Sequence, residues 1–144
     1  MRVLRHSEFE IGVPDGWLDR SLVILRPPDS DHLAPSITVS RQPLSADISS
    51  EEFAIQQIPA LTETFAEYGF RIIEERQVRL AGLDAFRYAY EFTSQESNLH
   101  VIQIQIYLIR NGFVYVLTAT DDAERFHDHK SALEDAIAHF NFAT

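Results

Sequence analysis

The segment ERFHDHK, residues 124–130, holds the densest set of side chains able to ligate a metal or move a proton: Glu124, His127, Asp128 and His129. On a helix, Glu124 shares a face with His127 three residues on and with Asp128 four residues on, whereas His127 and His129, two apart, diverge. The plainer expectation is a solvated, acid-capped helix start, with a metal or acid/base site of Glu124, His127 and Asp128 as the enzyme alternative. Other catalytic signatures are missing. The five glycines, at 12, 16, 69, 82 and 112, stand too far apart to cradle a phosphate. No Gly-x-Ser-x-Gly elbow occurs, and the absence of cysteine excludes thiol nucleophiles, disulfides and Cys-ligated zinc. No catalytic residue, metal or cofactor is expected.

What carries any function must therefore be a surface, and the composition bounds its partners. The 144 residues fit one domain, residues 1–144, and 45% hydrophobic residues suffice for a packed core. A formal net charge of −10 repels phosphate backbones, so no nucleic-acid partner is expected. No apolar run approaches the ~20 residues that span a bilayer, so the chain is not membrane-embedded. The N-terminal MRVLRHSEFEI lacks the apolar stretch of a signal peptide, which reads as a cytoplasmic protein.

Periodicity orders the elements as βββ-α-ββββ-α. A short strand ends at the turn Pro14-Asp15-Gly16-Trp17, with Trp17 expected to anchor the turn by packing. Ser21 to Arg26 forms a second strand, and the proline-rich PPDSDHLAP a surface loop. Residues 36–41 alternate Ile37 and Val39 with Ser36, Thr38 and Ser40, the signature of a half-buried strand. A helix capped by Ser49 or Ser50 carries Ala54, Ile58, Leu61, Phe65 and Tyr68 on one stripe; Pro59 predicts a kink or restart, and Gly69 a C-terminal cap. Four strands follow, through AFRYAYEF, residues 99–109 and, across an Asn-Gly turn, 113–120. His100 is expected as a structural or edge histidine. An amphipathic helix with Phe126, Leu133, Ala136, Ile137 and Phe140 closes the chain. The fold class is α+β: a mostly antiparallel sheet with two main helices packed on it.

A sheet covered by helices on one side should read polar on the other, yet here both faces are apolar. Ile102, Ile104, Ile106 and Leu108 form one face of the central strand; Val101, Gln103, Gln105, Tyr107 and Ile109 form the other. The second strand repeats this, with Leu22 and Ile24 expected on the helices and Val23 and Leu25 outward. Such a face is covered by the chain itself, by a second copy, or by an apolar client. Gln103 and Gln105 favour the client, because amides among aliphatic groups suit a helix that would otherwise seek lipid.

The opening FEIGVPDGWLDRSLVIL, the strand PSITVSR and the aromatic hairpin after LAGLDAFRYAYEF resemble the Eag chaperones of type VI secretion effectors, within a DcrB-like, PsbP-like fold group. The resemblance implies a cytoplasmic bacterial homodimer that binds the hydrophobic N-terminal transmembrane helices of a secreted toxin, shields them and aids loading on the secretion spike, without catalysis. It matches Val23 and Leu25 to the client-binding second strand, and Ile37 and Val39 to the third. With Gln103, Gln105 and Tyr107 from the face pattern, these seven residues form the expected client-binding set, on a single sheet face. A small-ligand or lipid carrier using the same groove is the remaining alternative.

Overall fold

The computed structural model describes residues 2–5, 10–17, 22–25, 35–94 and 98–143. The expected surface loop across 27–34, both ends of the second strand at Ser21 and Arg26, and the middle of the TSQESN hairpin lie outside these residues, as does the side chain of Leu22. Strands β1 (Arg2–Arg5) and β2 (Glu10–Val13) form a separate antiparallel ribbon. β1 has no counterpart in the periodicity analysis. A six-stranded, fully antiparallel sheet follows in the order β3-β4-β8-β7-β6-β5. Its members are β3 (Leu22–Leu25), β4 (Ser36–Pro43), β5 (Arg71–Leu80), β6 (Leu83–Thr93), β7 (His100–Arg110) and β8 (Phe113–Asp122). Helix α1 (Ser50–Phe65) lies between β4 and β5, and α2 (Phe126–Ala138) ends the fold.

Local chemistry accounts for most of these boundaries. Two-residue turns at Ala81-Gly82 and Asn111-Gly112 join β5 to β6 and β7 to β8, with all four residues at positive φ, as the hairpin twist demands. The Ser49 hydroxyl accepts the Glu52 amide at 3.1 Å and starts α1. α1 passes through Pro59 as one element, neither restarting nor ending there. Phe53 and Ala54 before the proline, and Leu61 and Phe65 after it, pack into the same aromatic core, and this burial outweighs the missing amide bond. A short 3-10 turn (Ala66–Tyr68) and left-handed Gly69 end it.

The helices do not share a side. α1 packs over β6 and β7 on the face of Phe86, Tyr88, Tyr90, Phe92, Val101 and Tyr107. Leu133 and Ile137 of α2 pack on Ile104, Ile106, Leu117, Ala119 and Ile37 of the opposite face. This corrects the one-sided arrangement: two apolar faces exist because each supports its own helix. In β5 a bulge between Ile72 and Glu74 shifts the pairing by one residue, so Ile72 stands opposite Tyr90 while Glu74 stands opposite Ala89.

Candidate functional site

α1 spans only part of its face. Beyond it, β8, β4 and β3 present Val116, Thr118, Thr120, Thr38 and Ser40 half-buried and Ile24 57% exposed, with no described helix over them. Cross-strand register aligns these residues in rows. Tyr88, Gln105, Thr118, Thr38 and Ile24 lie abreast across five strands; Tyr90, Gln103, Thr120 and Ser36 form the next row.

The rows are hydrogen-bonded along their length. The Tyr90 hydroxyl donates to Gln103 Oε1 at 2.5 Å, and Gln103 Nε2 donates to Thr120 Oγ1 at 3.1 Å. Tyr107 donates to Gln105 Oε1, and Gln105 Nε2 reaches Thr118 Oγ1 at 3.5 Å. Each amide oxygen is thereby turned toward a phenol, and each amide nitrogen toward β8, where one N–H per glutamine remains for an incoming acceptor. Between α1 and this platform runs a cleft of about 330 Å³, bordered by Gln42, Gln57, Ala60, Thr64 and Phe65 besides the glutamines and tyrosines. Among the described residues no charged side chain lines it. An uncharged occupant with apolar faces and hydrogen-bond acceptors is the one such walls can hold without leaving a buried charge unpaired.

Burial pushes the hydroxyls of Tyr90 and Tyr107 well above the ordinary phenol pKa of 10.0 and raises that of Tyr88, where the charges of Glu75 and Glu51 add to it. Their folded pKa values exceed the unfolded ones, so the stability they contribute is fully present below pH 10 and is lost as pH rises beyond it. In a spectrophotometric titration these three tyrosines are expected to ionise only together with loss of the far-UV circular dichroism signal. Reversible ionisation of all five tyrosines of the chain before unfolding would contradict the burial of the rows.

The expected client-binding set is split. Gln103 and Gln105 stand on the α1 side, whereas the register of β3, β4 and β8 puts Val23, Leu25, Ile37 and Val39 on the α2 side. One face cannot present all seven. Tyr107 belongs with the glutamines but is 3% exposed and wedged against Phe53 at 5.5 Å, so it orients Gln105 from beneath. Ile37 is buried in the core under α2, with Val39 packed against it. Val23 and Leu25 are exposed at the sheet edge, as is Ile24 on the other face, which was expected to pack on a helix. Thr38, read from the sequence only as part of the polar face of its strand, joins Thr118 and Thr120 beside the glutamines through the strand register, which a single sequence does not give.

The acidic and histidine cluster also differs from its expected form. Among the described residues no three His, Asp or Glu side chains come close enough to share a metal. Asp122 rather than a helix cap organises the turn, accepting the Glu124 amide at 3.0 Å, and α2 begins without a side-chain cap. His129 Nδ1 lies 2.7 Å from the fully buried carboxylate of Asp121, a partner eight residues away that helical spacing does not reveal. His100 pairs with Glu91 at 3.0 Å. Trp17 closes its turn through its backbone amide, which donates to the Pro14 carbonyl at 3.1 Å, and the residue is 68% exposed.

No curated protein matches this sequence. Among solved structures, PA94 of Pseudomonas aeruginosa, a protein of unknown function, superposes with a TM-score of 0.82 at 20% identity, covering 100% of this chain and 98% of that one. LpqN, involved in cell envelope biogenesis of Mycobacterium tuberculosis, aligns with a TM-score of 0.57 at 17% identity, over 84% of this chain and 83% of its own. The cyanobacterial PsbP of Synechocystis sp. PCC 6803 gives 0.53 at 11% identity, over 95% and 88%. The fold is therefore α+β and PsbP-like. The DcrB family model matches residues 8–139, nearly the whole length of the chain, and the protein belongs to the DcrB family.

Proposed function

We propose that this protein is a binding module rather than an enzyme: a cytoplasmic chaperone that holds the hydrophobic N-terminal transmembrane helices of a type VI secretion effector and delivers them to the secretion spike. The observation that carries this reading is the half of the sheet beside α1 over which no described helix lies, where Gln103 and Gln105 are fixed in rows with Thr118, Thr120 and Ile24. Such a surface buries aliphatic side chains while supplying N–H and O–H donors to carbonyl groups that a client helix exposes at a break. The family resemblance supports the client class. The client residues are then Gln103 and Gln105 of the expected set, joined by Ile24, Thr38, Thr118 and Thr120, with Tyr90 and Tyr107 orienting the amides.

Co-expression with an effector's N-terminal segment tests the assignment. Thr118→Asp should keep its native circular dichroism spectrum and lower client recovery by about tenfold or more, because a carboxylate there is desolvated by the bound helix. Full recovery by a folded Thr118→Asp chaperone would remove the α1-side face from consideration. The cleft itself favours one second reading, a carrier of a small uncharged ligand. Native mass spectrometry of the protein purified without a client would then show an added mass of a few hundred daltons that Thr118→Asp abolishes.

A further inference from the structure

Four arginines of this chain each meet a carboxylate: Arg71 that of Glu91 at 3.0 Å, Arg76 that of Glu74 at 2.8 Å, Arg79 that of Asp84 at 2.8 Å and Arg87 that of Glu134 at 2.5 Å. Arg110, half-buried at the end of β7, has no such partner among the described residues. Its guanidinium carbon lies instead 4.2 Å from the centre of the Phe142 ring. In a chain with a formal net charge of −10, carboxylates are plentiful, so a partly buried cation without one is the exception to explain.

The strand register surrounds Arg110 with aromatic groups. On the α2 side of the sheet Phe113 stands opposite Arg110, and the next residue of β8 on that face, Tyr115, stands opposite Arg41 of β4. Arg41 leans back over Phe113, its guanidinium carbon 4.4 Å from the ring centre. The segment after α2 sets Phe142 edge-on to Tyr115 at 4.9 Å and to Phe140 at 5.3 Å. Two guanidinium groups thus flank a ridge of half-buried rings, Phe113, Tyr115 and Phe142.

A guanidinium held by its face against a ring keeps its in-plane N–H groups for an acceptor, and their fork matches the two oxygens of a carboxylate. Arg41 adds a second positive charge beside it. A densely charged polyanion is repelled by the rest of the molecule, which leaves a ligand bringing a single charge. The rings beside the fork favour a charge carried on an apolar body over a bare hydrated ion. One fork and one ridge offer far less area than the roughly 800 Å² per partner of a protein interface, so the match is to a small molecule. We propose that Arg110 and Arg41, with the ridge between them, form a binding site for a small organic acid, one carboxylate on an aromatic or aliphatic body. The site lies on the α2 side, opposite the glutamine platform, and stands independently of the client reading.

Four probes separate the contributions of charge and body: phenylacetate, acetate, inorganic phosphate and the uncharged phenylacetamide. In titrations of the isotopically labelled full chain, followed by the backbone amide resonances of Phe113 and Tyr115, phenylacetate is expected to saturate. Its dissociation constant should be at least about fivefold below those of the other three. Arg110→Gln, with its circular dichroism spectrum unchanged, should lose the saturable shift. No saturation by phenylacetate, equal affinity for acetate, phosphate or phenylacetamide, or undiminished binding by folded Arg110→Gln would overturn the site and leave Arg110 as a clasp for the Phe142 ring. Should Arg110→Gln fail to fold, the ranking of the four probes on the wild-type protein decides alone. None of these readouts involves a client, so the site and the chaperone reading fail separately.

Discussion

Tyr90→Ala is expected to lower the unfolding free energy by about 3–5 kcal/mol, the range for removing a large aromatic ring from a packed core. The ring is 1% exposed and lies 5.4 Å from Phe70, 6.1 Å from Phe65 and 6.2 Å from Phe92. This aromatic group joins the C-terminal end of α1 to β5 and β6, so its loss loosens the helix that borders the cleft. Tyr90→Phe keeps the ring and removes only the hydroxyl that holds Gln103, at a cost of about 1 kcal/mol. Urea titrations should shift the midpoint at constant slope for both variants. Under the proposed function, Tyr90→Phe should also reduce client recovery while remaining nearly as stable as wild type. Equal losses of stability from Phe and Ala would show that the hydroxyl, and not the packing, holds this region.

Glu134→Ala should cost about 2–3 kcal/mol. Arg87 reaches the α2 side of the sheet with its side chain 8% exposed, and Glu134 of α2 meets it in a bidentate pair at 2.5 and 3.1 Å. Glu74 of β5 accepts from its Nε at 2.7 Å. Removing one partner of a buried pair typically costs about 3–5 kcal/mol, and the cost is smaller here because Glu134 and Glu74 are 32% and 36% exposed and screened by water. Arg87→Met should cost less, since the two carboxylates left behind can rehydrate. Burial alone would raise the Glu74 carboxyl, but the hydrogen bonds and charges of Arg76 and Arg87 outweigh it and hold it below its ordinary 4.5. A depressed folded pKa contributes stability that is full above the unfolded value and is lost as pH falls through the folded one. The difference in melting temperature between wild type and Arg87→Met should therefore narrow below about pH 4. A gap that persists in stronger acid would mean that Arg87 stabilises through its aliphatic stem.

Much of this architecture was legible in the sequence, and the gaps have a common cause. AFRYAYEF announced that Phe86, Tyr88, Tyr90 and Phe92 share a face, and Asn111-Gly112 announced its hairpin, because both signals are local. The side of the sheet taken by each helix is not local. Alternation within β3 separates Val23 and Leu25 from Ile24, and alternation within β7 separates Gln103 from Ile104. Nothing in either strand relates the two alternations, and a slip of one residue in any intervening pairing exchanges the faces. Alternation alone therefore permits the apolar strand residues and the glutamines to share one surface, whereas the register sets them on opposite sides. Asp121 stayed hidden for a related reason, since its pairing with His129 depends on how α2 folds back over β8.

The extra residue in β5 has a consequence for how much one edge strand can hold together. Ile73 interrupts the two-residue repeat, so the strand holds two independent reading frames, one placing Ile72 among the aromatic rings under α1 and the other placing Glu74 beside Arg87 under α2. Both segments still reach both sides, Arg71 pairing with Glu91 and Gln77 donating to Glu51 of α1, but residues two apart across the bulge stand on opposite faces. One edge strand thereby serves both the aromatic core that frames the cleft and the ionic clasp that holds α2, and the single extra residue Ile73 is what turns it from one to the other.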